Sequence, residues 1–262
     1  MTGPPPLDLI TPVEKRKGLW FKREDTWIFE GCAGAKARAA TALIRMKPKP
    51  PGVVTVGNRL SPQSAIVARI ARFYDIPSRV YTAWGSETEE LALAREAGAD
   101  IIPLIRGYNP QLVRAADDDV AETGWRLIPF GMDHRVSVEL TALQVVNLPE
   151  DIERIVVPVG SAICLSGILN GLLEVGRSVP VLGVSVGAQG KVRRVLDKYV
   201  PREGRRTLQI VQSALEYHQR PKHTSIHGLE VDPIYEAKCR PYLRTGDLFW
   251  VVGNRPKREE IA

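Results

Sequence analysis

Lys36 is the residue of this sequence best placed to do chemistry. It follows a run of small residues, Gly31-Cys32-Ala33-Gly34-Ala35, and opens a stretch with helical character. A lysine amine serves as a nucleophile towards carbonyl groups in covalent catalysis. Because a lysine at the start of a helix is more commonly a solvated surface charge, a catalytic role needs support from other segments.

A second candidate is the loop Gly160-Ser161-Ala162-Ile163-Cys164, which lies between an apolar run and a helical stretch. A loop in this position directs backbone N–H groups towards the start of the helix, where the helix dipole and unpaired donors favour a phosphate group. We therefore predict that these five residues contact a phosphate. The competing interpretation is an ordinary turn from strand to helix.

Polar residues also follow two predicted strands, and two more stand in a C-terminal motif. Asn58, Ser61 and Gln63 come after the first strand of a parallel sheet, and His134 follows a later strand. Tyr235 and Glu236 stand in the segment Val231-Asp232-Pro233-Ile234-Tyr235-Glu236-Ala237-Lys238. The alternatives are a Gly-Asn turn without a ligand, a loop histidine, a buried tyrosine and a surface acid.

In this order the motifs resemble those of the fold-type II pyridoxal phosphate (PLP) enzymes, the tryptophan synthase beta-like superfamily. Lys22-Arg23-Glu24-Asp25 and the small-residue loop that ends in Lys36-Ala37-Arg38 are similar to that family's N-terminal motifs. The segment with Tyr235 and Glu236 closely resembles a family block, and its Glu matches the aminocyclopropane-carboxylate deaminase and D-cysteine desulfhydrase group. The resemblance covers about residues 20–253, in a chain shorter than its relatives.

The resemblance implies a role for each candidate residue. Lys36 would hold PLP as a Schiff base and act as a base, and Tyr235 would be an acid, base or nucleophile beside the substrate. Glu236 would face the ring nitrogen and keep it protonated. The remaining cofactor contacts would come from Asn58, Gly160, Ser161, Ala162, Ile163 and Cys164, and the substrate contacts from Ser61, Gln63 and His134.

Several positions depart from the family pattern. Ala35 replaces an Asn, and Val252 replaces a Thr whose hydroxyl would contact the ring. Ala162 and Ile163 replace glycines, which we expect to limit the φ > 0 conformations of the loop. Cys164 replaces a hydroxyl donor with a weaker one.

Short β-branched runs alternate with helical patterns from residue 53 onwards, which indicates parallel strands joined by crossover helices. The pattern predicts a strand at Val53–Val56, a helix from Gln63 to Phe73, and a capping box, Ser86-Glu87-Thr88-Glu89, that opens the next helix. Together with the resemblance, this predicts two three-layer α/β domains with parallel sheets. The larger PLP-binding domain would comprise residues 1–36 and 126–262, and the smaller domain residues 37–125.

Composition and residue spacing argue against a membrane protein, a secreted protein and a metal-binding protein. The chain has 262 residues, of which 44% are apolar, and we find no stretch that approaches a membrane span or a signal-peptide core. Its three cysteines and four histidines form no recognised metal-binding spacing. We expect a cytoplasmic protein with reduced thiols and without a metal. By resemblance, it would be a homodimer with PLP as its cofactor.

The leading hypothesis is a PLP-dependent lyase or deaminase that acts on a small amino acid. A net charge of +6, basic clusters and the shortened chain raise a second hypothesis, in which the reacting amine is attached to a larger anion such as a modified base in DNA. A third hypothesis is a PLP-binding protein that has lost catalysis. The basic clusters are Lys15-Arg16-Lys17, Arg202 with Arg205-Arg206, and Arg255 with Lys257-Arg258.

Overall fold

The computed structural model describes residues 3–105, 108–187 and 189–258. The strands are β1 (Val13–Arg16), β2 (Leu19–Arg23), β3 (Ile28–Phe29), β4 (Cys32–Ala33), β5 (Val53–Val56), β6 (Ser78–Ala83), β7 (Asp100–Leu104), β8 (Arg126–Ile128), β9 (Arg154–Val159), β10 (Val181–Ser185), β11 (Leu208–Gln212), β12 (Ser225–Ile226), β13 (Leu229–Glu230) and β14 (Asp247–Val251). The α-helices are α1 (Ala35–Arg45), α2 (Gln63–Phe73), α3 (Glu89–Glu96), α4 (Asn109–Thr123), α5 (Arg135–Ala142), α6 (Ile163–Glu174) and α7 (Gln189–Tyr199).

The chain forms two compact units, and the first consists mainly of Ile28–Met132. Its sheet has four parallel strands in the order β7-β6-β5-β8. Val80 of β6 packs with apolar residues of α2 and α3, whereas Val54 and Val56 of β5 pack with α4. Helices therefore cover both faces of this sheet, which gives three layers.

The second unit consists of Pro5–Trp27 and Asp133–Asn254. Its six strands run in the order β1-β2-β14-β9-β10-β11, and all neighbours are parallel except the β1–β2 hairpin. Residues of α6 and α7 pack on one face. Residues of the β12–β13 hairpin and of the 3₁₀ segment Glu236–Tyr242 pack on the other, so this unit's third layer is built from short elements.

Two glycines let α6 lie against α5. A Cβ atom at Gly167 would lie 2.5 Å from Cβ of Thr141, and one at Gly171 would lie 2.4 Å from the carbonyl oxygen of Ala142. Side chains at these positions would push the helices apart. The close contact fixes α6, whose first turn follows the loop of residues 160–162.

The predicted α/β class with parallel sheets is confirmed. The predicted smaller domain, residues 37–125, lies inside the central segment of the first unit, and Lys36 belongs to that unit as well. The division into a larger PLP-binding domain, residues 1–36 and 126–262, and a smaller domain stays a prediction. Within the described ranges, no helix has both the length and the apolar character needed to cross a bilayer.

Candidate active site

Lys36 lies in the first turn of α1, in the first unit. The helix begins after Gly34, whose φ of +92° and ψ of −166° belong to a region that only glycine adopts readily. Alanines 35, 37, 39 and 40 are buried, whereas Lys36 is half-buried. The small residues around Lys36 thus allow a tight entry into a buried helix that carries one amine at its start.

Asn58 and Ser61 form the turn between β5 and α2. The side-chain oxygen of Asn58 accepts a hydrogen bond from Leu60 N at 3.0 Å, and its carbonyl oxygen accepts one from Ser61 N at 2.8 Å. Oγ of Ser61 accepts a bond from Gln63 N at 3.4 Å. An Asn that bonds the backbone two residues on is typical of an Asx turn. Contacts of Asn58 and Ser61 with a ligand stay predictions.

Gln63 is buried and fully engaged within the first unit. Its Nε2 donates to Thr55 Oγ1 at 3.0 Å and to the Pro129 carbonyl at 2.9 Å, while its Oε1 accepts from Gly131 N at 2.9 Å. These bonds join α2 to β5 and to the segment after β8. The observed role of Gln63 is structural, and its substrate contact stays a prediction.

Ala162 gives the predicted phosphate loop its shape. It is the N-cap of α6 with φ +68° and ψ 6°, in the left-handed region. The expectation that alanine would limit positive φ in this loop is therefore wrong at Ala162, which accepts a strain of roughly 1 kcal/mol. Both N and Oγ of Ser166 donate to the Ala162 carbonyl at 2.9 Å, and these bonds hold the residue in place.

The predicted phosphate loop leads into the start of α6, and its backbone lies against Tyr235. The first N–H groups of a helix have no partner within it. At Gly160, a Cβ atom would lie 2.8 Å from Cε1 of Tyr235, so the loop backbone and the tyrosine ring are in contact. Ala162 and Ile163 are buried, whereas Ser161 and Cys164 are half-buried. The contact of these five residues with a phosphate stays a prediction.

Glu236 is a buried carboxyl group in the second unit, 2% exposed. Its Oε1 accepts hydrogen bonds from Val252 N at 3.1 Å and Gly253 N at 3.3 Å. Burial raises the pKa of Glu236 well above its ordinary value of 4.5, and the charge of Asp232 raises it further, while backbone N–H donors oppose the shift. Val252, which cannot supply the hydroxyl of a Thr, thus contributes through its backbone.

Tyr235 is paired with Tyr217, a residue that the sequence analysis missed. Their hydroxyl oxygens lie 2.8 Å apart, and the rings meet at 75° with centroids 5.9 Å apart. Asp232 Oδ1 accepts a bond from Tyr235 N at 2.9 Å. Tyr217 lies in an irregular segment, where no periodic pattern marks it. In the sequence, its residue type was the one feature that could have suggested a role for Tyr217.

A buried lysine supports the segment that carries Tyr217. Lys238 Nζ donates to the carbonyl oxygens of Glu216 at 2.7 Å and Tyr217 at 2.9 Å. Lys238 is 2% exposed, and burial lowers its pKa. The last residue of the motif that predicted Tyr235 and Glu236 thereby anchors the backbone of Tyr217.

His134 is the N-cap of α5. Its Nδ1 accepts a hydrogen bond from Val136 N at 3.2 Å. The observed contact is therefore local, and a substrate contact of His134 stays a prediction. Among the described residues, no group of three or more His, Cys, Asp or Glu side chains is arranged to hold a metal ion.

The predicted site residues fall into two sets. The second unit brings the loop of residues 160–164 next to Tyr235, which precedes Glu236. The first unit contains Lys36 and the turn with Asn58, Ser61 and Gln63. The second unit thus contains the predicted phosphate loop and a buried acid, and the first unit contains the Lys36 amine.

Residues 2–247 match the model of a family described as pyridoxal-phosphate dependent enzymes. The chain belongs to this family. The resemblance to fold-type II PLP enzymes is thereby confirmed, and PLP is the cofactor. The sequence matches no curated protein.

Solved structures show the same fold. An ACC deaminase homologue superposes with a TM-score of 0.77 at 18% identity, covering 94% of this chain and 89% of that chain. A threonine deaminase from T.th. gives 0.64 at 15% identity, with coverage of 95% and 94%. Maize serine racemase gives 0.63 at 15% identity, with coverage of 94% and 88%. At 15–18% identity, these similarities show a shared fold only.

The residues present fit PLP. The left-handed Ala162 and the start of α6 form a backbone cradle for a phosphate group. Glu236 is a buried acid with a raised pKa, suited to share a proton with a ring nitrogen. Lys36, in the first turn of α1, is a lysine whose amine could form the covalent link that a carbonyl cofactor requires. The departures from the family pattern leave these three features in place.

Proposed function

We propose that the protein is a PLP-dependent lyase or deaminase that acts on a small amino acid. Lys36 would hold the cofactor and then move the proton at the substrate's α-carbon. When bound, PLP supplies an electron sink for the charge that develops there. The backbone N–H groups of residues 160–164 would bind its phosphate, and Glu236 would keep its ring nitrogen protonated.

The hydroxyl pair of Tyr217 and Tyr235 carries this proposal. Elimination and deamination need a proton at a second atom besides the α-carbon, because a leaving group or β-carbon must also be protonated. A phenol that is hydrogen-bonded to another phenol at 2.8 Å has a partner that orients it and stabilises its charge. Tyr235 would hold this second proton, and Tyr217 would orient its hydroxyl.

No specific observation favours an enzyme that acts on an amine attached to DNA. Several residues of the basic clusters contact acids of this chain: Lys15 lies 3.6 Å from Asp151, Arg205 2.5 Å from Asp197 and Arg258 3.0 Å from Glu96. Such pairing leaves less free charge for phosphates. The degenerate alternative rested on the departures at Ala162, Ile163 and Val252, and it is weakened at Ala162, which adopts a positive φ although it is not a glycine.

The proposal is tested by incubating PLP-loaded protein with a panel of small D- and L-amino acids. Release of ammonia together with an α-keto acid supports it. Exchange of the α-proton in D₂O without keto acid would instead indicate a racemase, and inert protein with bound PLP would indicate a degenerate enzyme. Wild type and Tyr235→Phe are compared on each active substrate. The homodimer and the cytoplasmic location stay predictions.

A further inference from the structure

A basic cavity of the second unit lies outside the residues assigned to PLP. It has a volume of about 490 Å³, within the range of small-molecule sites. Three apolar residues, Leu19, Ile226 and Leu243, form part of its wall. Its polar side chains are Lys17, His223, Ser225, His227, Arg240, Arg244 and Thr245.

The charged side chains that line this cavity are basic. The chain carries 30 acidic residues against 36 Lys and Arg, so an ordinary surface mixes both signs. In the part of the chain that the structure describes, no Asp or Glu lines the cavity, and neither Lys17 nor Arg240 forms an ion pair. Cations gathered in this way repel one another, and an anion would relieve the repulsion.

Arg244, the third cation of this cavity, lies near two carboxylates. Its Nε lies 3.7 Å from Asp247 Oδ1, and its Nη2 lies 4.0 Å from Glu153 Oε2. Asp247 is already bound by Arg154, at 3.0 Å and 2.7 Å. The guanidinium of Arg244 is thus neutralised only in part, and its side chain stays 62% exposed.

Two tight turns bring a cation and an imidazole to this cavity. Lys17-Gly18 joins β1 to β2, and His227-Gly228 joins β12 to β13; all four residues have positive φ, between 46° and 83°. Such two-residue turns favour Asn, Asp or Gly at their first position. Turn formation therefore does not explain Lys17 or His227. A hydrogen bond of 3.0 Å from Gly246 N to the Gly18 carbonyl ties the first turn to the cavity's rim.

We propose that this cavity binds a small molecule that carries a diphosphate group. Lys17, Arg240 and Arg244 would bind phosphate oxygens, while His223, His227 and Ser225 would donate further hydrogen bonds. Guanidinium groups match the geometry of phosphate oxygens, and a diphosphate concentrates several negative charges in a small volume. The cavity has room for a substituent beyond the diphosphate.

Calorimetric titration of PLP-saturated protein with inorganic pyrophosphate tests this proposal, since saturation occupies the phosphate loop. The test variant is Lys17→Asn/Arg240→Gln, in which Asn suits the left-handed turn position and preserves the hairpin. The control, Arg114→Gln/Arg193→Gln, removes the same charge from exposed helix positions. At about 0.15 M salt, where long-range attraction is largely screened, the control should bind like the wild type.

We expect one equivalent of pyrophosphate to bind, with an affinity reduced at least about tenfold in the test variant. Absence of binding, or equal binding by the test variant, would overturn the proposal. Equal loss in the control would show attraction by net charge alone and would also overturn it. Citrate or inorganic phosphate that binds as tightly as pyrophosphate would refute the assignment of a diphosphate.

Discussion

The hydroxyl oxygens of Tyr217 and Tyr235 lie 2.8 Å apart, although 18 positions separate the residues along the chain. Asp232 holds the backbone of Tyr235, and Lys238 holds that of Tyr217. Both phenols are therefore fixed from the backbone side. Their mutual bond is the observation from which we assign the second proton of the reaction.

Tyr217→Phe removes this bond while it keeps the ring. We expect kcat to fall about tenfold, and Tyr235→Phe to lower it by about 10² or more, because only Tyr235 is assigned proton transfer. Both variants should retain PLP. Steady-state kinetics of the single and double variants measures this. A double variant no slower than Tyr235→Phe supports a shared role, whereas full activity of Tyr217→Phe would refute the role of Tyr217.

Glu236→Gln should change how stability depends on pH. Burial raises the pKa of Glu236 well above 4.5 in the folded protein. At pH values between the ordinary and the raised pKa, the folded state therefore binds more protons than the unfolded state. Raising the pH therefore lowers the free energy of unfolding of the wild type. Glutamine does not titrate, and its amide oxygen can accept the same backbone bonds.

Urea denaturation of cofactor-free protein measures this effect. Between about pH 5 and pH 7, we expect the stability of Glu236→Gln relative to wild type to increase by at least about 1 kcal/mol. Glu150→Gln, at an exposed position, is the matched control and should show no such trend. The same relative stability at both pH values would contradict the raised pKa.

Ala162→Val tests whether the left-handed conformation of the phosphate loop is required. A β-branched side chain is strongly disfavoured at φ +68°, so the variant should lose at least about 2 kcal/mol of stability and bind PLP more weakly. Ala121→Val, at an exposed site in α4, should cost about 0.5 kcal/mol. Denaturation and PLP titration compare the two. Equal effects would show that Ala162 tolerates the change.

Local patterns predicted the regular elements well. The strand Val53–Val56 and the helix Gln63–Phe73 have the bounds that the sequence indicated. Both depend on signals within the segment itself: β-branched residues that favour a buried strand, and apolar residues at helical spacing. The predicted phosphate loop and the segment with Tyr235 and Glu236 are also short and continuous, but resemblance to the family motifs, not periodicity, singled them out.

Features that depend on distant residues were predicted less well. The helix expected to open at Ser86 is capped by Thr88, whose Oγ1 accepts a bond from Leu91 N at 3.4 Å. Arg59 explains the difference, since its Nη1 donates to the carbonyl of Ser86 at 2.9 Å and to its Oγ at 3.3 Å. The pairing of Tyr217 with Tyr235 is likewise a tertiary contact. Neither contact leaves a periodic signal in the sequence.

The positive φ of Ala162 shows a different limit of sequence analysis. Residue type argued against the left-handed conformation. Ala162 adopts it nevertheless, at φ +68°, and both N and Oγ of Ser166 donate to its carbonyl oxygen. The folded chain here overcomes a local preference of roughly 1 kcal/mol.

The assignment of Lys36 is the central claim, and chemical trapping tests it most directly. Treatment of PLP-loaded protein with borohydride reduces a lysine–PLP linkage to a stable amine, which mass spectrometry of the peptides then locates. We predict one phosphopyridoxyl group, on the peptide that contains Lys36, and none in Lys36→Ala. A label on any other lysine, or no label on wild-type protein with bound PLP, would contradict the account.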